Sequence, residues 1–301
     1  MIPIHFSLKD EKDRTKITDT FYEITVKHCS SKRIKAIDDW CKKNIIIDKK
    51  EYSFKDIVIA DHSKLQKIKE FIDENHVPMD CFYKTNKSGE KICYLIDHVY
   101  KHRVPRLFLI EALGITVCPY CNRNFVNSSR NRTFCQLDHF INKSDYPIFA
   151  VSFYNLIPVC ACCNHAKSSK EFDISPHDLN MVTNDLILFS YHILDSDFLF
   201  HDEKIRIDMF YSNKIKSNIE SLNLEELYQL HTDLIQEITK KTYIYSKEYL
   251  DDIMENCVGL FSSEDEFYRV VFGNYLNESD FAKRPLAKLT YDICQEVGLI
   301  Y

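Results

Sequence analysis

Glycine is scarce, with five residues in 301, and a β-barrel, which needs glycine at its bulges and tight turns, is not expected. No G-x-x-x-x-G-K-S/T run occurs, so a P-loop nucleotide site is excluded. No stretch of 18 apolar residues is present, and the start, Met1-Ile-Pro-Ile-His-Phe, has no apolar leader. The chain is therefore expected to be cytoplasmic, with no membrane partner. Repeats and low-complexity tracts are missing too. In a reducing compartment, twelve cysteines read as free thiols and metal ligands and not as a disulfide framework. What the chain does have is 45% hydrophobic residues, enough to bury a sizeable core in one or two domains.

The chemistry is concentrated in residues 118–170. Cys118-Pro-Tyr-Cys121 and Cys160-Ala-Cys-Cys163 are two C-x2-C pairs. Two intervening residues let both thiolates of a knuckle face one ion, and four thiolates suit tetrahedral zinc. Cys162 and His165 lie beside the second pair and remain alternative ligands at this point. The 38 residues between the pairs exceed the gap of a plain zinc ribbon, so the metal would hold whatever they form at its base. Within them, Asp138 and His139 are adjacent, and on a regular strand their side chains point to opposite faces. A bent hairpin is implied if both serve one site. Asn164 and Lys167, three apart, share a face if a helix begins after Cys163.

Asp138-His139, Asn155-Leu156 and Cys160-x2-Cys163-Asn164-x2-Lys167, with Tyr146-Pro147 as an intervening turn, together resemble the HNH endonuclease, or ββα-metal, family. An Asp-His pair alone carries little weight, since Asp61-His62 and Asp97-His98 also occur, but neither is followed by the other elements. The resemblance implies His139 as the general base that takes a proton from water. It implies Asp138 and Asn164 as oxygen ligands of a catalytic Mg²⁺ or Mn²⁺, with Zn²⁺ on the four cysteines. Asn164 stands where many members carry histidine, and an amide oxygen favours the harder ions. Asn155 is implied to tie the loop together and aim the base, and Lys167 to contact a phosphate oxygen. Arg123, Arg130, Arg132 and Lys143 would position the nucleic-acid backbone, and the products would carry 5′-phosphate and 3′-hydroxyl ends. The knuckle and its flanking runs also look like bacterial defence HNH proteins, including Septu-type nucleases that work beside an ATPase. That likeness implies an ATPase partner.

Around this core the sequence predicts a mostly helical α+β fold: a ββα-metal HNH core with a four-cysteine zinc knuckle, flanked by helical extensions and a small antiparallel sheet. Three segments are expected. Residues 1–95 form an N-terminal extension, including a helix over 63–75 capped by Ser63 with Leu65, Ile68, Phe71 and Ile72 at core spacing. Residues 96–175 carry the nuclease core, entered by a helical stretch over 97–113 that Pro105 should kink or restart and Gly114 should stop, with His98, His102 and Arg103 on the surface. Residues 176–301 begin with a small sheet over 185–211. A helix capped at Asn223 then runs as far as Cys257, followed by helices over 267–275 and 284–297, with Pro285 in the first turn of the last.

Charge separates along the same lines. Residues 101–170 hold nine basic and three acidic side chains, whereas residues 171–301 hold 11 basic and 25 acidic ones. Positive charge is local to the proposed module, as phosphate binding requires, and the acidic part is either a solvated surface or a dock for a basic partner. Two other readings stay open from sequence: a zinc-knuckle nucleic-acid-binding or adaptor protein without catalysis, and the same nuclease acting on RNA in place of DNA.

Overall fold

The computed structural model describes residues 1–4, 10–129 and 132–300. It is a mostly helical α+β structure whose strands, among the described residues, pair in two-stranded antiparallel units. One hydrophobic cluster runs from Met1 to Ile300 and takes in all three expected segments. Among the described residues, no helix is long and apolar enough to cross a membrane.

Local chemistry explains most of the helix boundaries. Ser53 and Asp56 form a reciprocal capping box at Phe54–Ile59. The next helix is His62–Glu74, and Asp61, not Ser63, caps it by accepting from the Lys64 N–H at 2.9 Å. Leu65, Ile68 and Ile72 of that helix are buried, as their spacing predicts. The stretch after residue 94 restarts at Pro105, the second of the two expected outcomes. Tyr94–Tyr100 is a π-helical segment, and only after Pro105 does a second helix, Arg106–Leu113, begin; Gly114, at φ +60°, closes it. His98, His102 and Arg103 are exposed, as expected.

The C-terminal region contains the expected small sheet as a single hairpin, Ile187–Ile193 with Ile205–Tyr211. Its helices depart from the expectation. Asn223 takes a left-handed conformation (φ +51°) and its side chain accepts no capping hydrogen bond, and the single helix predicted after it is three: Leu224–Tyr228, Thr232–Ile244 and Lys247–Asn256. Ser246 starts the last of these by accepting from the Tyr249 N–H. Helix Glu264–Phe272, closed by Gly273, ends three residues before the expected Phe267–Tyr275 stretch would. The final helix starts at Ala287, so Pro285 precedes it. The left-handed Leu286 between them donates its N–H to Asn122 O at 2.6 Å. The last helix carries a buried pair, Lys288 Nζ to Asp292 Oδ1 at 2.6 Å, and Asp292 Oδ2 accepts from Phe189 N–H of the hairpin at 2.8 Å.

Candidate active site

The four cysteines of the two C-x2-C pairs come together. The sulfurs of Cys118, Cys121, Cys160 and Cys163 are buried and lie within 4.8 Å of one another. A tetrahedral zinc with Zn–S bonds of about 2.3 Å needs sulfurs about 3.8 Å apart, so small adjustments would suffice to seat one. Neighbouring donors suit thiolates: Arg123 N–H points to Cys121 Sγ at 3.4 Å, and Asn124 Nδ2 and Cys163 N–H to Cys160 Sγ at 3.4 and 3.5 Å. Crowding the thiols drives their proton affinities apart, with Cys160 pushed down by hydrogen bonds from the other three and Cys163 pushed up. Cys162 and His165 are exposed and stand outside the cluster.

The knuckle is also a docking point for the rest of the chain. Ile2 N–H donates to Pro119 O at 2.7 Å, Tyr228 Oη–H to Cys121 O at 2.7 Å, and Asn122 Nδ2 to Phe281 O at 2.7 Å. Segments from both ends of the sequence thus close on residues 118–122.

Between the cysteine pairs, Gln136–His139 and Leu156–Val159 form an antiparallel hairpin, followed by helix Ala161–Lys167. The ladder is regular through Asp138↔Ile157 and His139↔Leu156, so the bend expected near Asp138 is not in the paired residues. The two side chains accordingly have different neighbours. Asp138 faces the knuckle and the helix: Tyr120 Oη–H donates to its Oδ2 at 2.6 Å, and Lys167 Nζ lies 3.1 Å from Oδ2 and 3.4 Å from Oδ1. Burial raises the Asp138 carboxyl above its usual range, opposed by the Lys167 ammonium and the Tyr120 hydroxyl.

His139, 5% exposed, faces the other way. The edge of the Tyr100 ring meets it at 4.4 Å between centroids, its Nε2 lies 2.9 Å from Ala150 O, and Lys143 Nζ stands 3.4 Å from its Nδ1. A carbonyl only accepts, so Nε2 carries the proton and Nδ1 presents its lone pair. Burial, reinforced by the Lys143 charge, lowers the imidazole to about 3, so the ring is neutral near neutral pH.

The carbonyl of Ala150 is placed by the loop over residues 140–155, and Asn155, 1% exposed, holds that loop. Its Oδ1 accepts from Ile141 N–H at 2.7 Å, and its Nδ2 donates to Ile141 O and Phe149 O, each at 3.0 Å. Pro147–Phe149 forms a single helical turn between these anchors, and Tyr146 Oη–H ties its start to Asp73 Oδ1.

The remaining predicted residues scatter. Asn164 donates from Nδ2 to Gln136 Oε1, not to Asp138. Lys167, expected at a phosphate, is 2% exposed, with its ammonium on Asp138 and on His139 O at 2.9 Å. Arg123 donates Nε–H to His231 Nε2 at 2.9 Å and lies over Tyr228, so it joins the core to the C-terminal helices. Arg132 is exposed beside Phe134, Lys143 sits at His139, and Arg130 lies outside the described residues. The structure adds Tyr120, Tyr100 and Arg106, whose guanidinium lies 5.2 Å from the Tyr100 ring centroid. Their sequence spacing carries no signal, because each reaches the hairpin from another element.

The donor types fit the two metals unequally. Four buried, hydrogen-bonded sulfurs fit zinc. For a divalent cation of the magnesium type, Asp138 and Asn164 supply the right oxygen chemistry, but both Asp138 oxygens are engaged, whereas Asn164 bonds Gln136 through its Nδ2. In this arrangement the Asp138 half of the expected oxygen pair is not presented.

Residues 118–170, the segment that holds the knuckle, the hairpin and the helix, match the family model of the HNH endonuclease, so the chain carries an HNH endonuclease domain. A longer similarity reaches the Septu protein PtuB of Bacillus thuringiensis, 28% identical over 114 residues. That alignment covers 36% of this chain and 41% of PtuB, less than half of either. No solved structure matches the chain.

Proposed function

We propose that this chain is an endonuclease that hydrolyses phosphodiester bonds in nucleic acid, DNA first, with His139 as general base. The observation that carries the reading is the state of that imidazole: Nε2–H held on Ala150 O, Nδ1 unprotonated, the ring neutral. A base fixed in one tautomer accepts a proton from an attacking water at Nδ1 without reorienting. Lys143, 3.4 Å from Nδ1, is the cation we assign to a phosphate oxygen, and moving onto phosphate would free Nδ1 for water. Attack opposite the 3′-oxygen gives 5′-phosphate and 3′-hydroxyl ends. A divalent cation, when bound, would supply charge stabilisation at the phosphate and the leaving oxygen. Asp138 and Asn164 are its assigned oxygen donors, on condition that Lys167 releases Asp138. Zinc on the four cysteines serves structure.

Similarity to PtuB supports a place in a Septu-type defence system with an ATPase partner, and the acidic balance of residues 171–301 is consistent with docking a basic surface. Cleavage of supercoiled plasmid with Mg²⁺, Mn²⁺ or neither tests the reading, comparing wild type with folded, zinc-loaded His139→Ala. The expected result is metal-dependent nicking lost in the variant. A variant that cuts at the wild-type rate refutes His139 as the base, and 2′,3′-cyclic phosphate ends on RNA would replace water by the 2′-hydroxyl as nucleophile. Silence of both proteins, with DNA and RNA and with the partner present, would favour a binding or adaptor role.

A further inference from the structure

A cavity of about 310 Å³ lies away from the zinc knuckle, between the helix Ser31–Asn44, the hairpin Tyr83–Thr85 with Lys91–Cys93, and the π-helical segment Tyr94–Tyr100. Its volume is at the lower end of the range for small-molecule sites. Two properties of its lining narrow the ligand. Its walls offer the aromatic rings of Trp40, Phe82 and Tyr94, and its polar groups include Arg33, Lys84 and His98, with no carboxylate among the lining side chains. The rings are held in place: Trp40 meets Phe82 edge to face at 4.6 Å, Arg33 stacks over Tyr94 at 4.6 Å, and Tyr94 Oη accepts from Ser30 N–H at 3.1 Å.

We propose that this cavity binds a nucleotide, its base against the aromatic and guanidinium planes and its phosphate on Arg33 and Lys84. Flat π-faces hold unpaired bases with little preference among them, and guanidinium and ammonium groups hold phosphate. A purely apolar ligand would leave the Arg33 and Lys84 charges without an anion, and a bare anion would leave the rings unused. The location adds a reason for the site: Tyr94 and His98 line the cavity, and Tyr100, on the same π-helical segment, meets His139. The same seven-residue segment thus lines the cavity and touches the candidate base. The nucleotide comes from one of two sources, a free mononucleotide or an unpaired residue of a nucleic-acid strand; the second rests on the nuclease reading.

Trp40 is the one tryptophan of the chain, so its fluorescence reports the cavity without a label. Zinc-loaded protein without added divalent cation is titrated with AMP and with a single-stranded DNA tetranucleotide, against inorganic phosphate and ribose 5-phosphate. Arg33 and Lys84 are exposed, so an Arg33→Glu/Lys84→Glu double variant should keep its fold, checked by circular dichroism and zinc content. The expected result is a saturable change with a base-bearing ligand and none with the controls, weakened about tenfold or more in the double variant. Tighter binding of AMP identifies a free nucleotide, and tighter binding of the tetranucleotide identifies a strand. No saturable change, an equal change with phosphate or ribose 5-phosphate, or a double variant that titrates like wild type overturns the proposal. Binding is read without catalysis, so a failed plasmid assay and a failed titration count against different conclusions.

Discussion

Replacing Asn155 by alanine removes three buried hydrogen bonds at once, to Ile141 N–H, Ile141 O and Phe149 O. Phe149 O keeps the Ser152 N–H at 3.1 Å, but Ile141 N–H and Ile141 O lose their partner at about 1–3 kcal/mol each, and a water entering the small cavity recovers part of that, so a loss of about 2–4 kcal/mol is expected. Asn155→Asp separates the donor from the acceptor half of the amide. A carboxylate still accepts from Ile141 N–H but faces two carbonyl oxygens, so at pH 7 the aspartate variant should be no more stable than the alanine one. Protonation of that carboxyl restores a donor, and the difference between the two variants should then shift in favour of aspartate as pH falls. Urea unfolding with an unchanged m-value gives the measurement. The same loop carries Ala150 O, which holds His139, and a displacement of about 1 Å at a catalytic group costs on the order of 10²-fold in rate. The alanine variant should therefore lose cleavage along with stability. A cost below about 1 kcal/mol would show that the amide does not bridge the loop, and the account of how His139 is aimed would fall with it.

Elemental analysis should find about one zinc per chain, lost in Cys118→Ser and Cys163→Ser and kept in Cys162→Ser; a zinc-free chain that melts at the wild-type temperature would contradict the knuckle's role as anchor for residues 1–4 and 228. Lys288→Met leaves the Asp292 carboxylate buried with no cation and should cost about 3–5 kcal/mol in denaturant unfolding; a loss under about 1 kcal/mol would mean the pair is solvated. Protonation supplies a further test. The His139 imidazole sits at about 3 when folded and near 6.5 when unfolded, so the unfolded chain binds the extra proton between those values. Its contribution to stability is present above about pH 6.5 and is lost as pH falls toward about 3, amounting to about 2 kcal/mol by pH 5. Wild type compared with His139→Gln across that range checks it, and equal slopes would show that the ring is not held neutral.

The HNH module was legible in sequence because its determinants are local. Two C-x2-C turns, an Asp-His pair and an Asn three residues before a Lys are each set by spacing within one element. The C-terminal hairpin was legible for the same reason, as alternating apolar runs pair with their neighbour. Helix limits were less so. Asp61 outcompeted Ser63 for a cap, and Asn223 turned left-handed between two short helices. At Leu286 the backbone is held by Asn122, more than 160 residues away in sequence.

Residue type and spacing alone determined that four thiols could share an ion and that Asp138 and His139 would point to opposite sides of a strand. Which partners those side chains meet was decided only by the tertiary structure. Tyr120 and Lys167 reach Asp138 from the knuckle and the following helix, while Tyr100 and Ala150 close on His139 from a separate segment and a loop. Burial follows from those contacts, and burial sets the charge state: it raises the Asp138 carboxyl and keeps the imidazole neutral. A sequence names the groups that can ionise, but their proton affinities depend on how much water the rest of the fold removes from around them.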